Sequence, residues 1–108
     1  MKNYTLLFVT IIGAFSFSCY AQQSKINSAD KKYDNYAYVD AIKIYEKVAN
    51  KGYKSEEMFK KLGNAYYFNS EYTSANTWYT ELFALNQQVE PEYYYRYSQT
   101  LKSVGEYE

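Results

Sequence analysis

Alanine and tyrosine return at one fixed interval along this chain. Ala41 and Ala75 stand 34 residues apart, and so do Tyr45 and Tyr79, and Tyr38 and Tyr72. A constant period of this length marks a chain built from stacked supersecondary units, each too small to bury its own apolar face. Inside the units the apolar residues follow the helical period. Tyr38, Ala41, Ile42, Tyr45, Val48 and Ala49 form one stripe, and Phe59, Leu62, Gly63 and Tyr66 a second. Tyr72, Ala75, Tyr79, Leu82 and Phe83 form a third. Small residues at Gly63 and Ala75 let two helix backbones approach while the aromatics fill the space beside them. Antiparallel pairs of this kind predict an all-α solenoid of helix pairs.

The helix boundaries carry their own signals. Ser55 is a natural N-cap, with Glu56 and Glu57 placed where the helix dipole favours negative charge. Gly52 stands where a helix C-terminus wants a left-handed residue. Asn69-Ser70 makes a turn, and Pro91 suits the first position of another helix. In that last helix Tyr94, Tyr97, Ser98 and Leu101 read as the inward stripe. Ser70-Glu71-Tyr72 recurs as Gly105-Glu106-Tyr107 with an offset of 35, the extra residue falling before Pro91. The earliest unit is the poorest. Residues 24–35 are polar and read either as a first helix with Ile26, Ala29 and Tyr33 inward or as a frayed end, and Ser28 and Lys32 stand where the central unit has Leu62 and Tyr66. That pattern suits an N-terminal cap with one wet face. About two and a half units are expected, the third lacking its second helix, so the sequence reads as the front end of a longer protein.

Composition narrows the function. The 108 residues carry no net charge, so neither nucleic acid nor an anionic membrane surface is an electrostatic partner. Sixteen tyrosines and six phenylalanines against four glycines and one proline suit helices packed through amphipathic rings. The amino end reads differently. Lys2 precedes an apolar run from Leu6 to Phe17, shorter than the roughly 20 residues of a membrane span. Cys19-Tyr20-Ala21 then offers a cleavage site before Gln22, which divides the chain into a signal peptide, 1–21, and a helical repeat domain, 22–108. Cys19 has two readings: it leaves with the signal, or it is the lipidated first residue of a lipoprotein. No transmembrane span is expected after residue 21, and the place is the periplasm or the periplasmic face of an outer membrane.

The stretch Lys61-Leu62-Gly63-Asn64-Ala65-Tyr66, followed by Ala75 and Tyr79, resembles a tetratricopeptide repeat. Ala41, Tyr45, Leu62, Gly63, Tyr66, Ala75 and Tyr79 are the residues that match its core signature. Together with residues 38–46 and 91–97, the run also looks like the tetratricopeptide region at the amino end of exported OmpA-like proteins. The resemblance implies a non-enzymatic protein-interaction scaffold in the cell envelope, with a protein or peptide partner. Peptidoglycan would be held only by further domains absent from these residues. Two alternatives stand beside it: a small free-standing periplasmic lipoprotein, and a structural spacer whose groove takes no particular ligand.

In the tetratricopeptide layout the first helix of each unit lines a concave groove. Carried over, this places Lys60, Asn64, Tyr67 and Phe68 in the groove from the central unit, with Tyr95, Gln99 and Lys102 from the third and Asp30 and Tyr33 from the first. Lys60 and Asn64 match the start of a clamp that some members use on a peptide's terminal carboxylate, and Arg96 could extend it. Glu92 stands where that clamp wants a lysine. Tyr67, Tyr93 and Tyr95 lie off the packing stripes and are candidates for touching a partner. Nothing in the chain assembles a catalytic acid, base or nucleophile: there is no histidine, the one cysteine is Cys19, and no phosphate-binding glycine loop occurs. The paired acids Asp30 with Asp34, and Glu56 with Glu57, lack a cleft to set their pKa values apart. No metal or cofactor is expected.

Overall fold

A computed structural model of the chain describes residues 20–105. Its regular elements are all helices: α1 over 20–34, α2 Tyr38–Asn50, α3 Glu56–Phe68, α4 Tyr72–Leu85 and α5 Pro91–Ser103. Among the described residues there is no strand. The segment read as an export signal lies outside the described residues, except for Tyr20 and Ala21, which belong to α1. Glu106 and Tyr107 of the last turn also lie outside them.

Local chemistry explains the helix ends. The Ser55 hydroxyl accepts from the Met58 amide at 3.3 Å, which satisfies one of the orphan donors of α3. Gly52 takes a φ of +96° after α2, and Pro91 opens α5. The turns joining α1 to α2 and α3 to α4 are the same structure. Tyr36 and Ser70 each hold a φ of +62°. In each turn the next amide reaches back into the preceding helix, Ala37 to the Lys32 carbonyl at 2.8 Å and Glu71 to the Tyr66 carbonyl at 2.9 Å. Left-handed backbone costs a side-chain-bearing residue on the order of 1 kcal/mol, so the turn geometry prevails over the local preference at both places.

The core is continuous from α1 to α5. Ala29, Ala41, Tyr45, Val48, Leu62, Ala65, Ala75, Tyr79 and Leu82 are wholly buried. α3 and α4 pack tightly at Gly63, where a methyl would overlap the Tyr79 ring. Phe59 stacks on Trp78 with ring centroids 5.8 Å apart. Glu46 of α2 draws these helices together, its Oε2 accepting from the Tyr66 hydroxyl at 2.7 Å and the Trp78 indole N–H at 3.3 Å. Burial first, and then this carboxylate, hold the Tyr66 phenol in its neutral form far above its ordinary pKa.

In α5 the buried edge differs from the expected stripe. Tyr93 and Thr100 are buried, whereas Tyr94 is 49% exposed and Ser98 is exposed; Tyr97 and Leu101 are half-buried. The reason is the direction of packing. Thirty-five residues earlier, α3 buries Met58 and Ala65, the counterparts of Tyr93 and Thr100. Tyr94 and Ser98 correspond instead to Phe59 and Gly63, which α4 covers. With its packing partners on one side, α5 buries one edge, and Tyr94 and Tyr97 settle against Phe83 with ring centroids 5.0 and 4.7 Å away. Tyr72, expected inward, is exposed at the start of α4.

Candidate partner-binding face

The odd-numbered helices share one side of the molecule. Tyr33 of α1, Asn64 of α3 and Tyr93 of α5 meet through hydrogen bonds, and Asp30 of α1 pairs with Lys61 of α3. These partners are 29 to 31 residues apart in sequence, so α1, α3 and α5 lie side by side and point the same way.

Asn64 is the hub. Its Nδ2 donates to the hydroxyls of Tyr33 at 3.2 Å and Tyr93 at 3.4 Å, and its Oδ1 accepts from the Tyr79 hydroxyl at 2.7 Å and Arg96 at 2.9 Å. An amide offers two donors and two acceptor sites, and all four are used. Only 5% of Asn64 remains exposed. Tyr79 is wholly buried above Gly63, and burial raises its phenol far above the ordinary value. Tyr33 is shifted in the same direction, chiefly by burial.

Lys60 is equally committed. Its ammonium sits 2.9 Å from Glu90, 3.0 Å from Glu56 and 3.6 Å from Glu57, and 5.2 Å from the centre of the Tyr93 ring. Burial works against this charge, but the Glu90 and Glu56 carboxylates outweigh it, and the net effect keeps Lys60 protonated to well above its usual range. Glu56 is held below the ordinary carboxylate pKa by the Asn86 amide and then by Lys60, and Glu90 is lowered by Lys60. Arg96 lies over Phe68, Tyr93 and Tyr67 at 5.1, 5.6 and 5.9 Å from their ring centres, with Glu92 at 3.7 Å. Arginine over several rings is a favourable cation–π setting.

The expected groove residues therefore divide into two kinds. Lys60 and Asn64 are buried and fully engaged, so neither has a donor free for a ligand carboxylate. Phe68 is 45% exposed and Tyr95 63% exposed, while Tyr67 and Gln99 are half-buried. Tyr67 packs against Phe68, Tyr72 and Tyr79, which ties a groove-facing ring to the core. Tyr93, expected to reach a partner, is buried instead. Glu90, just before α5, supplies a partner of Lys60 from 30 residues away. Its sequence signal is faint: it directly precedes Pro91 and so lies at the start of α5.

No helix among the described residues is long and apolar enough to cross a membrane. Among the same residues no three His, Cys, Asp or Glu side chains cluster as metal ligands. No protein-family model matches the chain, and no curated protein is similar to it at a significant level.

Proposed function

We propose that the chain is a non-enzymatic tetratricopeptide-type scaffold of the cell envelope, which takes a protein or peptide partner on the face formed by α1, α3 and α5. The observation that carries this reading is the exposed aromatic surface on that face, above all Phe68 and Tyr95. Aromatic rings held on a rigid helical frame contribute large contact area at low entropic cost, and they are enriched where partners bind. The repeat assignment draws support from the twin turns at Tyr36 and Ser70 and from the 34-residue spacing of Tyr45 and Tyr79. Export draws support from the apolar run that ends near Cys19.

The spacer reading has its own support, because the cations of this face are used internally. One experiment separates the two. Photocrosslinking from position 99 in the native envelope is compared between the unaltered chain and the Phe68→Ala/Tyr95→Ala variant. A scaffold forms a discrete crosslinked species that the variant loses while keeping its helical circular dichroism. A spacer forms none, or one that the variant retains. Lys60 and Asn64 are unsuitable for this test, since their substitution would disturb the fold itself.

A further inference from the structure

The charges of the odd-helix face are layered. Its paired cations are Lys60, Lys61 and Arg96, whose side chains are between 6% and 26% exposed. Their carboxylate partners are Glu56, Glu57, Glu90, Glu92 and Asp30, and these side chains are between 33% and 72% exposed. Five acids thus meet three bases, and the acids are the outer layer. A carboxylate has about four acceptor sites, more than one cation fills. Surplus acceptors remain on the exposed Glu57, Glu90 and Glu92: Glu92 shares Arg96 with the Phe68 ring and stands one helical turn before Tyr95 on α5, while Glu57 and Glu90 gather at Lys60 toward the amino ends of α3 and α5. Lys102 lies apart from them, near the far end of α5.

From this arrangement we infer that the face binds a basic segment, with arginine or lysine alternating with apolar side chains, and rejects acidic segments and free carboxy termini. The inference rests on the reading of this face as a partner site. Guanidinium or ammonium groups of the ligand add to carboxylates already oriented by Lys60 and Arg96, while its apolar side chains cover Phe68 and Tyr95. A ligand carboxylate meets the opposite field: the donors that would hold it are spent on Glu56, Glu90, Glu92 and Asn64, and like charges brought together disfavour the complex.

The test uses fluorescein-labelled peptides and anisotropy on the full chain. The probes are an amidated peptide of alternating arginine and leucine, a glutamate–leucine counterpart with a free carboxy terminus, and a serine–leucine control. The basic peptide is expected to bind about tenfold or more tighter than the acidic one, with the preference shrinking as salt screens the surface. The Glu57→Gln/Glu90→Gln/Glu92→Gln variant, altered only at exposed side chains, should lose that preference, and Glu92→Lys alone should narrow it. Tighter binding of the acidic peptide overturns the charge assignment and leaves the partner face standing. Basic-peptide binding that the triple glutamine variant leaves untouched also overturns it. Binding of none of the three removes the partner face itself, and the inference with it.

Discussion

Tyr45 and Tyr79 occupy the same place in successive helix pairs, yet they bond to different chemistry. Tyr45 donates to the carboxylate of Asp30, and Tyr79 to the amide of Asn64; both acceptors lie 15 residues before their donor. Asp30 stands at the edge of the array, a third exposed, where Lys61 at 3.1 Å is its second partner. Asn64 stands in the interior with α1 on one side and α5 on the other. A carboxylate there would still face Arg96, but it would offer no donor to Tyr33 or Tyr93, and taking a charge out of water is costly even when it is paired. The comparison teaches that one backbone unit accepts a charged or a neutral acceptor according to whether a further helix covers it. Glycine follows the same logic. Gly63 leaves room for Tyr79, whereas the matching position in the first pair is Ala29, wholly buried with its methyl in place.

The sharpest attempt to break this comparison replaces both acceptors by leucine. Asn64→Leu strands the Tyr79 hydroxyl and one Arg96 donor in the interior and should cost about 3–4 kcal/mol, since each buried group left unsatisfied costs about 1–3 kcal/mol. Asp30→Leu should cost about 1 kcal/mol, because water reaches the vacated edge. Equal losses in denaturant titrations would mean that the two sites do not differ as edge and interior. Next in size is Gly63→Ala. The overlap with Tyr79 should outweigh the gain of about 1 kcal/mol in helix propensity and leave a net loss of about 2 kcal/mol. A stabilised Gly63→Ala protein would show that the α3–α4 spacing yields easily.

Alkaline pH probes both pairs at once. The Tyr45 and Tyr79 phenols are raised in the fold above their unfolded value of about 10. Burial is the main cause in each, with the Asp30 carboxylate adding to it at Tyr45. A group whose folded pKa is raised gives its full stabilisation below the unfolded pKa and loses it as pH climbs toward the folded one. Stability should therefore hold to about pH 10 and fall beyond it, with phenolate absorbance rising together with the loss of helix. Tyr79→Phe and Tyr45→Phe should each flatten that fall, and an unchanged slope in either would remove that tyrosine from the account. The smallest effect belongs to Lys61→Gln. It removes a partly exposed ion pair at Asp30 and should cost no more than about 0.5 kcal/mol, which thermal melts at low and high salt can resolve.

Much of the frame is legible in the sequence, because the information is local. The stripes of α2, α3 and α4, the Ser55 cap, the turn at Ser70 and the Pro91 start each depend on residues within one or two helical turns. Ile26, Ala29 and Tyr33 of the polar first helix were also readable by spacing, and the first two are buried with the third half-buried. The inward edge of α5 was not. Tyr93 through Tyr97 include four tyrosines in five positions, so periodicity alone leaves the buried edge undetermined, and packing on α4 decides it. The pairing of the residues on α3 is not legible in the sequence. Lys60 and Asn64 lie on α3, and their partners arrive from Glu90, Tyr33 and Arg96, about 30 residues away. No local pattern encodes such pairs.

Trp78 is the chain's single tryptophan, and its surroundings make it a selective optical reporter. The indole sits on α4, stacks on Phe59 of α3 and donates to Glu46 of α2, so its emission senses the docking of three helices together. Among the described residues its ring stacking and its hydrogen bond come from α3 and α2, not from α1 or α5. Opening at either end of the array would leave the fluorescence unaltered while ellipticity declined. Melting curves followed by the two signals should therefore separate if the ends loosen first, and the tryptophan trace alone would overstate how long the whole array stays intact.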